Sequence, residues 1–280
     1  TVCYEDGFSS ERYIDYIFFN QESKNLNVFS PKTEKKKLLF FPGRMKNNGI
    51  TSSFLNLVNN IDHTNFDVSV IIANPLTKEE QKNMKLIPDE CRLIFRPGKH
   101  AFTFRETITD YYFESFGVKP LFRKFYPMNA YKREMRRLLG ISFFDAAIDF
   151  SGYSYFWGKF IAAVPSKKKL VFQHNDLLSD SLRNVGGKQP HRTNLKSLFT
   201  IYFLFDRILS VSEETKIINQ RKLAKYIDPK QVGVVRNSLN INQIINYDQK
   251  KQKQNQLNII LREKNTVSVK LEGFFKVYSQ

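Results

Sequence analysis

The chain has 280 residues, and its 41% of hydrophobic residues, with 26 Phe and 13 Tyr, is ample for a buried core and excludes an intrinsically disordered protein. No run of the sequence approaches the ~18–20 uninterrupted apolar residues that a membrane-spanning helix needs. The formal net charge of +17 favours polyanionic partners, which are nucleic acid, an anionic membrane face or a phosphate-rich polymer, unless the lysines are merely solvated.

The amino-terminal segment over residues 1–30 predicts a helix that opens with the capping-type residues Ser9 and Ser10. Since the chain begins at Thr1 with neither an initiator Met nor a signal peptide, we expect it to be a piece of a longer protein. A charged linker is expected over residues 31–37.

A buried strand over residues 38–41, a Gly-bearing loop and a helix with an apolar run over 54–61 form the first predicted βα unit. The first helical turn is rich in Thr and Ser. A helix start presents unpaired backbone N–H groups and the positive end of its dipole, so it can hold a phosphate. The alternative is an ordinary βα turn, because the loop matches neither GxGxxG nor a Walker motif. The candidate binding residues here are Gly43, Gly49, Thr51 and Ser52.

The rest of the chain alternates strands with helices. Residues 104–139 are expected to be helical in pieces, broken around residues 117–120 and at Pro127, and residues 174–190 are expected to be a polar loop. Alternating elements and continuously apolar strands predict an α/β fold with a doubly wound, mostly parallel sheet. Further strands are predicted over 66–73, 91–95, 144–150, 169–173, 208–211 and 232–235, and helices over 79–84, 155–164, 195–205 and from Ser212 onward.

Polar residues follow several of these strands, and in doubly wound sheets ligands bind beyond the carboxyl ends of the strands. We therefore expect them to converge on one rim. His174 is expected to hydrogen-bond a sugar or phosphate there, unless it is a structural histidine bonded to a neighbouring carbonyl. Asp149 either binds a hydroxyl of an acceptor or caps the following helix. The other candidates on this rim are Ser151, Asn175, Ser212, Arg236 and Asn237.

Basic residues alternate with aromatic and aliphatic ones between Lys119 and Arg137. This pattern suits an interfacial helix on an anionic membrane, and it equally suits contact with a phosphate-rich polymer. The remaining alternative is a solvated helical face with an ordinary core side.

Three segments together resemble bacterial glycosyltransferases of the two-lobed GT-B fold, glycosyltransferase family 4-like, of the kind that act in teichoic-acid and related wall-polymer synthesis. They are residues 41–53 (FPGRMKNNGITSS), 144–153 (FDAAIDFSGY) and 172–176 (FQHND). Residues 205–213 and 234–237 resemble the last strand–helix unit of the first lobe and the crossover to the second. The resemblance implies a Rossmann-like first lobe that holds an acceptor, and sugar transfer from a nucleotide-sugar donor held mostly by the second lobe.

The opening of the chain, residues 4–12 (YEDGFSSER), looks like the closing segment of CDP-glycerol glycerophosphotransferases. We therefore expect residues 1–30 to be the tail of such a domain, 31–245 the acceptor lobe, and 246–280 a polar linker with the truncated start of the donor lobe. The family's donor motif cannot be placed in 257–280, so the fragment alone is expected to be inactive.

The resemblance and the charge together predict a hexosyltransferase-type enzyme, with His174, Asp149 and Asn175 orienting the reacting groups and an anionic polymer as acceptor. The donor is a substrate, so no cofactor is expected. His63, His100 and His191 show no metal-ligand spacing, so no metal site is expected either. The expected location is the cytoplasmic face of the membrane. The chain has only two cysteines, which suits a reducing cytoplasm. The alternatives are glycerophosphate transfer to make poly(glycerol phosphate), or a basic nucleic-acid-binding module. Since no nucleic-acid-binding motif accompanies the charge, we expect no nucleic-acid partner.

Overall fold

The computed structural model describes residues 7–19, 34–73 and 77–238 of the chain. Strands and helices alternate through most of this part. The strands are β1 (Lys36–Phe41), β2 (Phe66–Ile72), β3 (Arg92–Phe95), β4 (Phe144–Asp149), β5 (Ser166–Gln173), β6 (Arg207–Ser210) and β7 (Val232–Val234). The helices are α1 (Ser9–Phe19), α2 (Gly49–Asn60), α3 (Lys78–Met84), α4 (Phe104–Phe116), α5 (Met128–Leu139), α6 (Tyr155–Ala162), α7 (Leu177–Leu182), α8 (Arg192–Phe199) and α9 (Glu213–Lys222).

The seven strands form one sheet in the order β3-β2-β1-β4-β5-β6-β7, and every neighbouring pair is parallel. The predicted doubly wound α/β sheet is therefore confirmed. The chain moves outward through β1, β2 and β3, then returns to place β4 on the other side of β1. This reversal is a topological switch point, and in open parallel sheets the crevice beyond the strand ends at such a point is where ligands bind.

Both faces of the sheet are covered, which explains the uninterrupted apolar runs within its strands, such as residues 38–41 of β1 and 70–72 of β2. Successive residues of β1 point to opposite faces, so Leu39 and Phe41 belong to one buried cluster while Phe40 belongs to the other. The first cluster is filled mainly by α5, α6 and α8, and the second includes Phe54 and Val58 of α2.

The structure differs from the sequence prediction at several boundaries. Strands β1 and β5 begin two and three residues before the expected starts at residues 38 and 169, because exposed lysines continue the ladder beyond the buried core. Within the expected polar loop over 174–190 lies the short helix α7, whose first turn is capped by the side chain of Asp176. The expected helix over 195–205 is instead α8 followed by a separate 3-10 turn, Tyr202–Leu204.

The expected breaks within residues 104–139 are confirmed. Helix α4 ends at Gly117, which has φ +72°, and a 3-10 helix, Pro120–Phe125, separates it from α5, which begins after Pro127. None of the helices in the described ranges is both long enough and apolar enough to cross a membrane. The expected linker and second-lobe start over 246–280 lie outside the described residues, as does much of the expected amino-terminal tail.

Candidate functional site

A cavity of about 680 Å³ lies at the switch point, beyond the carboxyl ends of β1, β4 and β5. Most of its walls come from loops that are distant in the sequence but follow the neighbouring strands β1, β4 and β5, while His191 precedes α8 and Asn237 follows the edge strand β7. The lining residues are Pro42, Gly43, Arg44, Lys46, Asn48, Gly49, Ile50, Thr51, Ser53, Ser151, Tyr153, His174, Asn175, His191 and Asn237. The lining therefore combines backbone, hydroxyl, amide, imidazole and cationic groups, and it contains no carboxylate.

The loop after β1 is held in an unusual shape by helix α3. Met45 is buried and has φ +58°, a left-handed conformation that a non-glycine residue adopts only when its surroundings enforce it. Asn83 of α3 donates hydrogen bonds to the Met45 carbonyl and to the Asn47 side chain, both at 2.8 Å. The Arg44 guanidinium lies 3.1 Å from the carboxylate of Glu80. These contacts fix the loop before any ligand arrives.

Two residues at the start of α2 that line the cavity have backbone N–H groups without a partner among the described residues. The side chain of Asn48 caps the helix by accepting a hydrogen bond from the Thr51 N–H at 2.9 Å, so that group is already satisfied. The N–H groups of Gly49 and Ile50 donate to no partner in the described part of the chain. With the positive end of the helix dipole and the Lys46 ammonium on the same wall, this corner of the cavity suits an anion.

The loops after β1 and β4 lie against each other. The Ser151 N–H donates to the Phe41 carbonyl at 3.2 Å. A Cβ atom on Gly43, which has φ +97°, would lie 3.3 Å from the Cβ and Oγ of Ser151. Gly43 thus serves both the left-handed turn and the close approach of the two loops.

The turn after β4 depends on Asp149 and Gly152. The Gly152 N–H donates to Asp149 Oδ1 at 2.9 Å, and a Cβ on Gly152 (φ +62°) would come within 1.8 Å of the Phe172 carbonyl oxygen. Asp149 is completely buried, and its Oδ2 has no hydrogen-bond partner. Burial raises the pKa of Asp149 from its ordinary value of 3.8 to about 7, against the opposing effect of backbone N–H donors.

His174 holds a defined tautomer at the cavity wall. Its Nε2 lies 2.6 Å from the Phe150 carbonyl oxygen, which can only accept, so Nε2 carries the proton. The ring packs against Phe150 and Phe172, and burial lowers the pKa of His174 below its ordinary value of 6.5 despite the opposing hydrogen bond. The imidazole is therefore neutral near pH 7, and its Nδ1 lone pair is engaged by no other described residue.

A chain of hydrogen bonds fixes the side of the cavity next to His174. The Asn175 amide donates to the Tyr153 hydroxyl at 2.9 Å, and that hydroxyl donates to Asp180 of α7. Asn194 of α8 donates to the Tyr153 carbonyl. The ring of His191 lies 6.1 Å from the ring of Tyr153, edge to face. These polar groups are positioned by α7 and α8 rather than by the strand ends alone.

The structure gathers most of the predicted site residues but not all of them. Asp149 lies beneath the cavity, under Gly158 of α6, and does not line it. Ser212 caps α9 by accepting from the Thr215 N–H at 3.1 Å, and Arg236 is exposed away from the lining. Ser52 lines a second groove between α2 and α3. Those that line the main cavity are Gly43, Gly49, Thr51, Ser151, His174, Asn175 and Asn237.

Eight lining residues are not among the site residues proposed from the sequence, and four of these eight, Arg44, Lys46, Tyr153 and His191, carry cationic, phenolic or imidazole side chains. Arg44 and Lys46 stand in the same loop as Gly43, and Tyr153 ends the segment FDAAIDFSGY, so position after a strand was an available signal. His191 follows no strand directly, and only the fold of α7 and α8 brings it to the cavity. In the described ranges no three His, Cys, Asp or Glu residues are grouped as a metal ion would require.

No protein-family model and no curated protein matches the chain. Among solved structures it is similar to Phytolacca americana UGT2 complexed with UDP-2-fluoro-glucose and pterostilbene, with 12% identity and a TM-score of 0.38 over 75% of this chain and 55% of that one. It is also similar to Arabidopsis thaliana UGT89C1 complexed with UDP, with 14% identity and a TM-score of 0.38 over 74% and 50%. The chain thus spans about half the length of these two proteins. At TM-scores this low, neither the activity nor the ligands of these two proteins can be assigned to this chain.

Proposed function

We propose that this chain is the acceptor-binding part of a glycosyltransferase that moves a sugar from a nucleotide-sugar donor to an anionic wall polymer. The observation that carries the proposal is His174, a neutral histidine with one nitrogen anchored and the other open, on the wall of a cavity that also has an anion-binding corner. The motif resemblance to GT-B glycosyltransferases and the net charge of +17 also support it.

In this proposal the two faces of the cavity have different tasks. The open N–H groups of Gly49 and Ile50, with Lys46, hold a phosphate of the acceptor polymer. His174 Nδ1 accepts a hydrogen bond from the acceptor hydroxyl that attacks, and it takes the proton as the new glycosidic bond forms and the bond to the nucleoside diphosphate breaks. Charge on the leaving diphosphate is stabilised mainly by the donor-binding part of the enzyme, which we place outside the described residues.

Asp149 has a different task from the one expected of it. Being buried under α6, it cannot contact the substrate, but its Oδ1 fixes the turn that carries Ser151 and Tyr153. Asn175 likewise acts through the hydroxyl of Tyr153. We therefore assign His174 as the catalytic residue and Asp149 and Asn175 as positioning residues.

The test is transfer of radiolabelled sugar to purified wall polymer by the full gene product, over a panel of nucleotide-sugars. His174→Ala should lower kcat by about 10²–10⁴-fold, since it removes the base. His174→Gln keeps an amide donor for the Phe150 carbonyl but offers no basic nitrogen, so it should keep KM and stability while remaining inactive.

The matched control is His63→Ala. The His63 ring also contacts a backbone carbonyl, that of Val58 at 2.9 Å, but it lies outside the cavity lining. It should leave kcat unchanged. Full activity of His174→Gln, or equal losses in the two alanine variants, would remove the observation on which the proposal depends. Transfer of glycerol phosphate from CDP-glycerol, without any sugar transfer, would instead favour the glycerophosphotransferase alternative.

A further inference from the structure

One face of α4 carries large apolar side chains that the rest of the described protein leaves uncovered. Phe104 is 81% exposed, Tyr111 73% and Phe116 67%, and Ile108 and Tyr112 are also exposed. These positions recur every three or four residues and share one side of the helix, whereas Asp110 and Phe113 on the other side are buried. Helix α4 is therefore apolar on its outer side as well as toward the core.

The exposed apolar surface continues onto the 3-10 helix that follows. Leu121 and Phe125 are 78% and 59% exposed, and the buried rings of Phe113 and Tyr126 lie 5.3 Å apart, which holds this segment against α4. We call the combined surface the α4 face; it consists of Phe104, Ile108, Tyr111, Tyr112, Phe116, Leu121 and Phe125. Exposed apolar patches built from several large side chains mark interaction sites.

Each carboxylate near the α4 face takes part in an ion pair, although Asp110 and Glu114 share one ammonium. Glu106 receives two hydrogen bonds from Arg133, at 2.6 and 3.1 Å. Asp110 lies 2.5 Å from the buried ammonium of Lys159, which also lies 3.7 Å from Glu114. Glu134, the remaining carboxylate between residues 104 and 137, is bound by Arg137 and Arg96.

The basic groups in the same region exceed these carboxylates. The guanidinium carbon of Arg123 lies 3.9 Å from the ring centroid of Phe203. Five further cations between residues 104 and 137 are exposed and have no ion-pair partner among the described residues. They are Arg105, Lys119, Lys124, Lys132 and Arg136. The stretch of chain that carries the α4 face thus also carries unpaired positive charge, on α4, on the 3-10 helix with its first flanking residue, and on α5.

We propose that the α4 face docks on a lipid bilayer that contains anionic lipids. Aromatic and aliphatic side chains on one side of a helix, bordered by Lys and Arg, are the composition of helices that lie in the membrane interface. The unpaired cations complement the negative surface potential of such a membrane, and a neutral protein surface would give them no partner. The proposal does not depend on the proposed function, since vesicle binding requires neither donor nor acceptor.

Co-sedimentation of the full chain with vesicles of phosphatidylcholine, alone or mixed with phosphatidylglycerol, tests the proposal. The chain should bind the mixed vesicles, and binding should weaken as salt is raised. The variant Phe104→Ser/Tyr111→Ser/Phe116→Ser removes apolar surface and should lower the partition coefficient at least tenfold. The variant Lys124→Glu/Lys132→Glu should lower it by about 25-fold or more, since each lysine near an anionic surface contributes about fivefold.

Matched controls come from the rest of the surface. Ile141 is 92% exposed and lies outside the α4 face, so Ile141→Ser should not change binding. Lys78→Glu/Lys82→Glu on α3 changes the net charge as much as the lysine variant does, and it should have a much smaller effect. All substitutions are at exposed positions, and thermal unfolding checks that each variant remains folded.

Three outcomes would overturn the proposal. Equal binding to vesicles with and without phosphatidylglycerol would remove the electrostatic argument. Unchanged binding by both α4-face variants would place the membrane contact elsewhere. If the chain does not bind vesicles but forms a dimer that the serine variant dissociates, as measured by light scattering, then the α4 face is covered by a second copy.

Discussion

Replacing Asp149 with Asn should make the protein more stable at pH 8 and flatten the dependence of its stability on pH. The buried carboxyl has one oxygen without a hydrogen-bond partner, so its charged form is disfavoured in the native state. Asparagine has the same shape as the protonated acid and keeps the Oδ1 atom that accepts from the Gly152 N–H. It carries no charge at any pH.

The size of the effect follows from the raised pKa of Asp149. The native pKa of about 7 lies above the ordinary value of 3.8, so the native state retains a proton that the unfolded chain has lost between these two values. Stability contributed by this group is complete below about pH 4 and is lost as pH rises toward 7. At about 1.4 kcal/mol per pH unit, the wild-type chain loses on the order of 4 kcal/mol through this one carboxyl.

Urea unfolding between pH 5 and 8 measures the effect, with the fluorescence of Trp157 as the signal. Trp157 is the single tryptophan of the chain, it belongs to α6 as does the Gly158 that covers Asp149, and it is buried and stacked on Phe41 at 4.6 Å. The free energy of unfolding should fall with pH more steeply for the wild type than for Asp149→Asn. Parallel curves for the two proteins would show that the carboxyl is not a buried titrating group.

The control for this comparison is Asp145→Asn. Asp145 belongs to the same strand, but it is partly exposed and paired with Lys167 at 2.6 Å. The hydrogen bond from Lys167 lowers the pKa of Asp145, which is the opposite direction, so its contribution is lost only in acid. Between pH 6 and 8 its substitution should change stability by a constant amount.

Three further predictions concern the turn after β4, the buried ion pair between α6 and α4, and the proposed base. Gly152→Ala should destabilise the protein by about 3 kcal/mol or more in urea unfolding, because its Cβ meets a backbone carbonyl, whereas Gly186→Ala, with a similar φ of +57° but open space, should cost only about 1–2 kcal/mol. Lys159→Met should cost about 3–5 kcal/mol by leaving a buried carboxylate uncompensated, and adding Asp110→Asn should recover part of that loss in a double-mutant cycle. Because burial lowers the pKa of His174, the acid limb of the pH–rate profile should lie below pH 6.5, and a limb above that value would contradict a neutral base.

The arrangement of the sheet was predictable because its signals are local. Runs such as residues 38–41 and 70–72 are apolar without alternation, which happens when both faces of a strand are covered. The helices between them supply those covers. Helix α7 was missed because six residues are too few to show a helical periodicity of apolar positions. Asp176, three residues before Ser179, is nevertheless a capping signal.

The site was only partly predictable because the sequence does not show which way a residue at a strand end points. Asp149 and Ser151 both stand at the end of β4, yet the first points under α6 and the second toward the cavity. Similarly, the loop that carries Arg44 and Lys46 takes its shape from Asn83, which is 38 residues from the carbonyl it binds. Such contacts are made by the tertiary fold and leave no mark in local spacing.

The position of β4 beside β1 has a consequence for how the chain folds as it is synthesised. The Lys37 N–H donates to the Asp145 carboxylate at 2.9 Å across a separation of 108 residues. At a synthesis rate of about 5–20 residues per second, β1 emerges from the ribosome about 5–20 s before its neighbour β4 has been synthesised. During that interval the apolar edge of β1 is open to any other strand, so chaperone dependence should concentrate in nascent chains that end between β3 and β4.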